Sequence, residues 1–201
     1  VDLPGHGRSD WPAAMNDEQQ LVQLAQTVPR GAALIGWSLG GQFALRTAAR
    51  AADRIRALVL LNSTPRFVRT GDWPHGLEHL ALQRFALQLQ HDYPQLLADF
   101  LELQTRGSAH STESLRLLKA ALLDHGAARP AALAAGLRLL ANNDLRAEAP
   151  RVTVPALVIG GQRDRVTPPG AARALAQLLP GARHVELARA GHTPFLSHTA
   201  Q

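Results

Sequence analysis

The chain has 201 residues, 46% of them hydrophobic and 18% charged, enough apolar material for one globular domain and no compositional case for disorder. Its 21 basic residues, 20 of them arginine, exceed the 16 acidic ones by a formal +5 spread along the chain, and only nine residues are Phe, Trp or Tyr, which speaks against nucleic-acid binding. No cysteine means no disulfide framework, thiolate metal site or cysteine nucleophile, and with no apolar run of about 20 residues and no signal-like N-terminus the expectation is a cytoplasmic protein with no membrane partner; a monomer is expected. Val1-Asp2-Leu3 reads as the end of a strand entering the loop Pro4-Gly5-His6-Gly7-Arg8-Ser9. Residues 16–27 are polar and helix-compatible. The small apolar run Ala32-Ala33-Leu34-Ile35 is too short for a helix and reads as a buried strand. It stops at Gly36-Trp37-Ser38-Leu39-Gly40-Gly41, gives way to an Ala-rich helix over 42–52, and is followed by a second buried strand, Ala57-Leu58-Val59-Leu60-Leu61. Strand, helix and strand in about 30 residues make the βαβ unit of a parallel sheet. From Thr64-Pro65 to Pro150 the pattern turns to leucine and alanine at helical spacing, punctuated by Pro94, Gly107, Gly126 and Pro130, which predicts four helices. The βα rhythm resumes with a strand at 155–159, a helix from Pro168 to Leu179 and a last strand at 184–187. The expected organisation is therefore α/β core over 1–65, helical insert over 66–150, and α/β core again over 151–201.

Gly36-Trp37-Ser38-Leu39-Gly40 fits G-x-S-x-G between a short strand and a helix, the setting that raises a serine hydroxyl on a strained turn above a sheet. The flanking glycines fit a place where neighbouring chains pass too close for a Cβ. The Leu39 amide, at the helix start, suits an oxyanion on a substrate carbonyl. A serine is a weak nucleophile without a base and an acid to orient that base, in the chain order Ser, acid, His for this architecture. Asp164 stands in the loop Gly160-Gly161-Gln162-Arg163-Asp164 after one strand, and His192 in Ala190-Gly191-His192-Thr193-Pro194-Phe195 after the last. Ser38, Asp164 and His192 are thus the candidate catalytic residues, with Leu39 the candidate oxyanion donor.

The loop Asp2 to Ser9, the serine turn, the acid loop and Gly191-His192 together resemble the α/β-hydrolase superfamily. The resemblance implies a mostly parallel sheet flanked by helices, with the insert as a helical cap after the second βα unit and with the N-terminal strands and C-terminal helix missing from this stretch. The second oxyanion amide, from a His-Gly-Trp-Gly loop, would then lie before residue 1. More narrowly, Gly36-Trp37-Ser38-Leu39-Gly40-Gly41, Asp72-Trp73-Pro74, Phe100-Leu101-Glu102-Leu103-Gln104-Thr105, Asn143-Asp144-Leu145-Arg146 and His192 to His198 resemble the family of pimeloyl-acyl-carrier-protein methyl ester carboxylesterases of biotin synthesis. That resemblance implies an acyl ester substrate, no cofactor, and substrate contacts at Trp37, Ser38, Leu39, Phe100, Leu101, Glu102, Leu103, Gln104 and His192. It also implies an acyl-carrier protein as partner, held by arginines on the cap. Gln95 and Asp99 stand where two of these are expected, and Arg116 is the matching base. From 66 to 146 there are nine basic and eight acidic residues, so the insert is nearly neutral.

His75-Gly76-Leu77-Glu78-His79 fits the zinc pattern H-x-x-E-H, but Trp73-Pro74 and Gly76 put it at a helix start or loop and no further ligand is indicated, so no metal is expected. The other cap stripes read as packing. Fold and triad alone leave a lactonase, a thioesterase, a cofactor-free haloperoxidase or an inactive truncated chain as alternatives to the esterase.

Overall fold

The computed structural model describes residues 1–11, 16–126 and 128–200. The helix α1 (Asp17–Thr27) starts with a capping box: the Asn16 carboxamide oxygen accepts from the Gln19 N–H at 2.9 Å and Gln19 Oε1 accepts from the Asn16 N–H at 2.8 Å. It leads to β1 (Ala32–Trp37), α2 (Leu39–Arg50) and β2 (Ile55–Leu61). The insert then supplies α3 (His79–His91), α4 (Tyr93–Thr105), α5 (Ser111–His125) and α6 (Pro130–Asn142). The chain returns to β3 (Ala156–Gly161), α7 (Pro169–Leu178), β4 (Arg183–Leu187) and the single turn α8 (Pro194–Ser197).

Among the described residues the sheet has the order β1-β2-β3-β4, and every neighbouring pair is parallel. Leu58 and Leu60 of β2 and Val158 of β3 are buried against Leu45 and Ala48 of α2 and Leu175 of α7, the centre of the main core. All four carboxyl ends therefore open on one edge, where an α/β sheet collects its functional groups. Two expectations are corrected here. The strand at 32–35 is not buried throughout: β1 is an outer strand of the described sheet, its side chains alternate, and Ile35 is 68% exposed. Nor does Val1-Asp2-Leu3 pair as a strand. An extended run needs a partner alongside, and none is described there; Asp2 instead accepts hydrogen bonds from the Arg8 N–H on its carboxylate and from Ser9 Oγ on its carbonyl.

The insert leaves and rejoins the core at one place. The Leu145 N–H donates to Pro65 O at 2.8 Å, and Arg66 bridges to Asp144 both through the backbone and through its guanidinium. Arg146 completes the junction, donating to Asp144 and, at 2.9 Å, to Asp72, while its guanidinium stacks over Trp73. Two motifs separated by some seventy residues are thereby one cluster. A second small core joins Phe67, Val68 and Leu82 of the insert to Val166 of the acid loop, and no helix among the described residues is long and apolar enough to cross a membrane.

The Arg146 guanidinium, with Arg66 beside it, holds the Asp144 carboxyl well below the usual carboxylate range. A depressed folded-state value contributes stability above the unfolded-state value and loses it as pH falls. Asp144→Asn is therefore expected to lower stability by about 2 kcal/mol at neutral pH, the worth of a hydrogen bond to a charged group. The difference should shrink only below about pH 4, where the unfolded carboxylate titrates. Urea midpoints of parent and variant measured down through that range check this, and a gap that stays constant would contradict it.

Candidate active site

Each candidate side chain sits just past the end of a strand. Ser38 follows β1 and heads α2 with φ 53° and ψ −124°, a left-handed conformation costly for a non-glycine residue and met where packing over-determines it. The Ser38 N–H donates to Leu61 O at 3.0 Å, which locks the turn to β2. A Cβ on Gly36 would lie 2.6 Å from the Gly41 Cα, and one on Gly41 only 2.3 Å from Ser63 Oγ, so both positions require glycine. Gly40 does not: among the described residues a Cβ there meets nothing within 4 Å, so the close approach assigned to the motif's second glycine belongs one residue later. Leu39 opens α2, where first-turn N–H groups have no intrahelical acceptor.

Asp164 and His192 form a buried pair, His192 Nδ1 lying 2.8 Å from Asp164 Oδ2 with both side chains 1% exposed. The carboxylate takes five hydrogen bonds. Oδ1 accepts from the Val166 and Thr167 N–H groups at 2.8 and 2.9 Å. Oδ2 accepts from Thr167 Oγ1 and Asn62 Nδ2, both at 2.6 Å, and from His192. With Oδ2 accepting, the imidazole proton sits on Nδ1. Nε2, buried and without a partner among the described residues, is left as the basic nitrogen.

The His192 backbone is fixed from two sides, its N–H donating to Gln104 O of α4 at 2.9 Å and its carbonyl accepting from Trp37 Nε1 at 2.8 Å. The indole also tilts against the imidazole at 5.4 Å and meets Phe195 edge-on at 5.0 Å. Trp37 is thus tied to His192 as well as lining the cavity.

Ser38 and His192 open together on a cavity of about 680 Å³, within the usual range of small-molecule sites. Of the residues expected to contact substrate, Trp37, Ser38, Leu39, Phe100, Leu103, Gln104 and His192 line it. Leu101 and Glu102 do not. On a helix that turns Phe100, Leu103 and Gln104 one way, the intervening residues face elsewhere; Leu101 is buried in packing and Glu102 is exposed. Conversely, Phe85 and Leu89 of α3 and Leu133 and Leu137 of α6, whose stripes read as packing, form much of the wall. Arg116 lies on the exposed surface, its guanidinium engaged by Glu113 at 2.7 and 2.9 Å. His75 sits before α3, edge-on to Trp73, whereas His79 begins the helix and faces Gln83, so the two do not share a helix face. Among the described residues no group of three His, Asp or Glu could hold a metal ion.

Asn62 and Thr167 escaped the sequence reading. Asn62 was findable by the argument that found Asp164, since Asn62-Ser63-Thr64 is the polar run directly after a strand. Thr167 carries no such signal, because its role depends on how the acid loop folds back.

A parallel sheet with a strained serine turn after one strand and a buried Asp–His pair from two others defines an α/β hydrolase. The family model described as alpha/beta hydrolase fold matches residues 1–199, and the chain belongs to that family. It is 45% identical over 201 residues, all of this chain and 80% of the relative, to the protein of Nitrosomonas europaea named pimeloyl-[acyl-carrier protein] methyl ester esterase. A protein of the same name from Stenotrophomonas maltophilia is 43% identical over 198 residues, 98% of this chain and 76% of the relative. Among solved structures, an esterase from Exiguobacterium antarcticum matches with TM-score 0.87 at 23% identity, covering 99% of this chain and 75% of that one. The enol-lactonase of Burkholderia xenovorans matches with TM-score 0.79 at 30% identity and the same coverage.

Proposed function

We propose that the chain is a serine carboxylesterase that hydrolyses the methyl ester of a pimeloyl group carried on acyl-carrier protein, with residues 66–150 as the cap over its active site. The observation that carries the reading is the buried Asp164–His192 pair, with Nε2 left unpartnered among the described residues and His192 lining the same cavity as Ser38. The shared name of the relatives at 43–45% identity supplies the substrate. Ser38 Oγ attacks the ester carbonyl while His192 Nε2 takes its proton, and the oxyanion is met by the Leu39 N–H. The tetrahedral intermediate collapses, His192 returns the proton to the departing methanol, and Asp164 stabilises the imidazolium throughout. Water, deprotonated by the same nitrogen, then cleaves the acyl-enzyme and frees the carboxylate and Ser38.

The apolar wall from Phe85, Phe100, Leu103 and Leu137 suits the methylene chain of the acyl group. Arg116 is the carrier contact of this reading; because Glu113 already holds it, the carrier adds little electrostatic attraction. The direct test is release of methanol from the pimeloyl methyl ester, free and carrier-linked. Hydrolysis of the carrier-linked ester is the expected result, and failure to turn over either form overturns the reading. Phe100→Ala should lower kcat/KM for long-chain esters by about 1–3 kcal/mol more than for acetate esters, as lost apolar contact implies. Equal losses on both would show that Phe100 does not hold the chain.

A further inference from the structure

Asn62 stands between the candidate acid and the loop bearing the candidate base. It follows β2, is 1% exposed, and uses both amide hydrogens: Nδ2 lies 2.6 Å from Asp164 Oδ2 and 2.8 Å from Gly191 O. We propose that Asn62 is a positioning residue for ester hydrolysis, its carboxamide fork holding Asp164 and the His192 loop in one fixed register. The proposal rests on the triad reading above.

The orientation of the amide is set by chemistry. Oδ1 has no partner among the described residues, so turning the group over would place that oxygen against a carboxylate and a carbonyl at once. Burying an unpaired oxygen is unfavourable, and so is the left-handed φ of 44°, which asparagine tolerates better than most residues. Both accompany a nitrogen aimed at the acid and at the residue before His192. The backbone is tied into the same assembly, the N–H donating to Ile159 O at 2.8 Å and the carbonyl facing Thr167 Oγ1 at 3.1 Å. One residue at the end of β2 thus connects β3, the acid loop and the residue before His192.

Without the fork, Gly191 O loses its partner; the His192 loop keeps the Gln104 and Trp37 anchors and the Arg163 N–H on Ala190 O, but the residue directly before His192 is untied and the imidazole is held less precisely. Asp164 Oδ2 would also lose a donor, and more of its charge would act on His192. Trp37 and Ser38 of the serine turn, Gln104 of α4 and Thr193 of the base's own loop are uncharged. Arg163 turns its guanidinium to Gly107 O, and Tyr93 and His6 are the other titratable side chains on the cavity wall. Asp164 therefore dominates the field at the ring. Removing the Asn62 donor should stabilise the imidazolium and move the acidic limb of kcat/KM upward.

The test uses the full chain with two substitutions. Asn62→Gly adopts the left-handed backbone without strain and removes the fork; Asn62→Asp keeps shape and backbone tolerance but lacks the paired donors. With p-nitrophenyl butyrate as probe, kcat is expected to fall about ten- to a hundred-fold in both, as loss of a hydrogen bond to a charged group implies, with KM within about two-fold. The acidic limb should move up, further in Asn62→Asp, and the far-downfield proton resonance of His192 Nδ1–H should broaden or disappear. A folded variant with parental kcat, pH profile and resonance overturns the proposal, as does a change confined to KM. Loss of folding in both variants makes the amide structural and also overturns it. Ser38→Ala, run alongside, separates the two levels. If it retains parental turnover, the triad reading falls and this proposal with it; if it is inactive while the Asn62 variants match the parent, only the positioning role is overturned.

Discussion

Ser38→Ala and His192→Ala are each expected to lower kcat for ester hydrolysis by about 10⁴- to 10⁶-fold, with substrate binding retained. The loss is large because, in the proposed triad, the two side chains act as a unit. Removing Oγ leaves no nucleophile on the turn, and removing the imidazole leaves a neutral hydroxyl with no acceptor for its proton. Binding survives because the wall of Phe85, Phe100, Leu103 and Leu137 is untouched. The double variant should be scarcely worse than either single one, as expected of groups that share one transition state. Stoichiometric labelling by a fluorophosphonate should occur at Ser38 in the parent, disappear in Ser38→Ala and slow in His192→Ala. If Ser38→Ala retains more than about a tenth of parental turnover, the nucleophile lies elsewhere.

Much of this site is legible in the sequence because a parallel sheet converts chain position into spatial position. Ser38, Asp164 and His192 are separated by up to 154 residues, yet each follows a short apolar run, and parallel runs end on one edge. Placing the residues therefore required only the strands and their direction. The four helices of the insert were readable for the same kind of reason, from leucine spacing and from Gly and Pro at their ends. What each helix faces was not. Periodicity gives a helix an apolar stripe without saying whether a core or a cavity covers it, so Phe85 and Leu137 read as packing although they wall the site. Within Phe100 to Gln104 the motif names a contiguous segment, whereas a helix presents only some of its residues to one side, and Leu101 and Glu102 are not among those lining the cavity. Gly40 shows the same limit at the serine turn. The pattern G-x-S-x-G marks two glycines, but which backbone approaches which is a matter of packing, and Ser63 presses on Gly41.

Asp164→Asn is expected to lower kcat by about 10⁴-fold, and the reason lies in how fully the carboxylate is used. Both oxygens act purely as acceptors, Oδ1 from two backbone N–H groups and Oδ2 from Thr167, Asn62 and His192. A carboxamide keeps the shape but must point its NH₂ at one of these sets. Directed at Val166 and Thr167, it opposes two backbone donors that cannot turn away. Directed at Asn62 and His192, it opposes another amide NH₂ and presents a donor to Nδ1, which then has to accept. In that second arrangement the imidazole proton moves to Nε2, the nitrogen meant to take the proton from Ser38, and the base is lost while its position is kept. The negative charge that stabilises the imidazolium disappears in either case. Asp164→Asn should therefore also lower stability, because one buried set of donors loses its acceptor, at about 1–3 kcal/mol for each group left unsatisfied. The distinguishing measurement is the pH dependence of the residual activity. With the wrong tautomer, hydroxide can substitute for the missing base, so the residual rate should keep rising with pH above the point where the parent levels off. A variant that retains the parental plateau and loses less than about ten-fold in kcat would show that Asp164 does not orient His192.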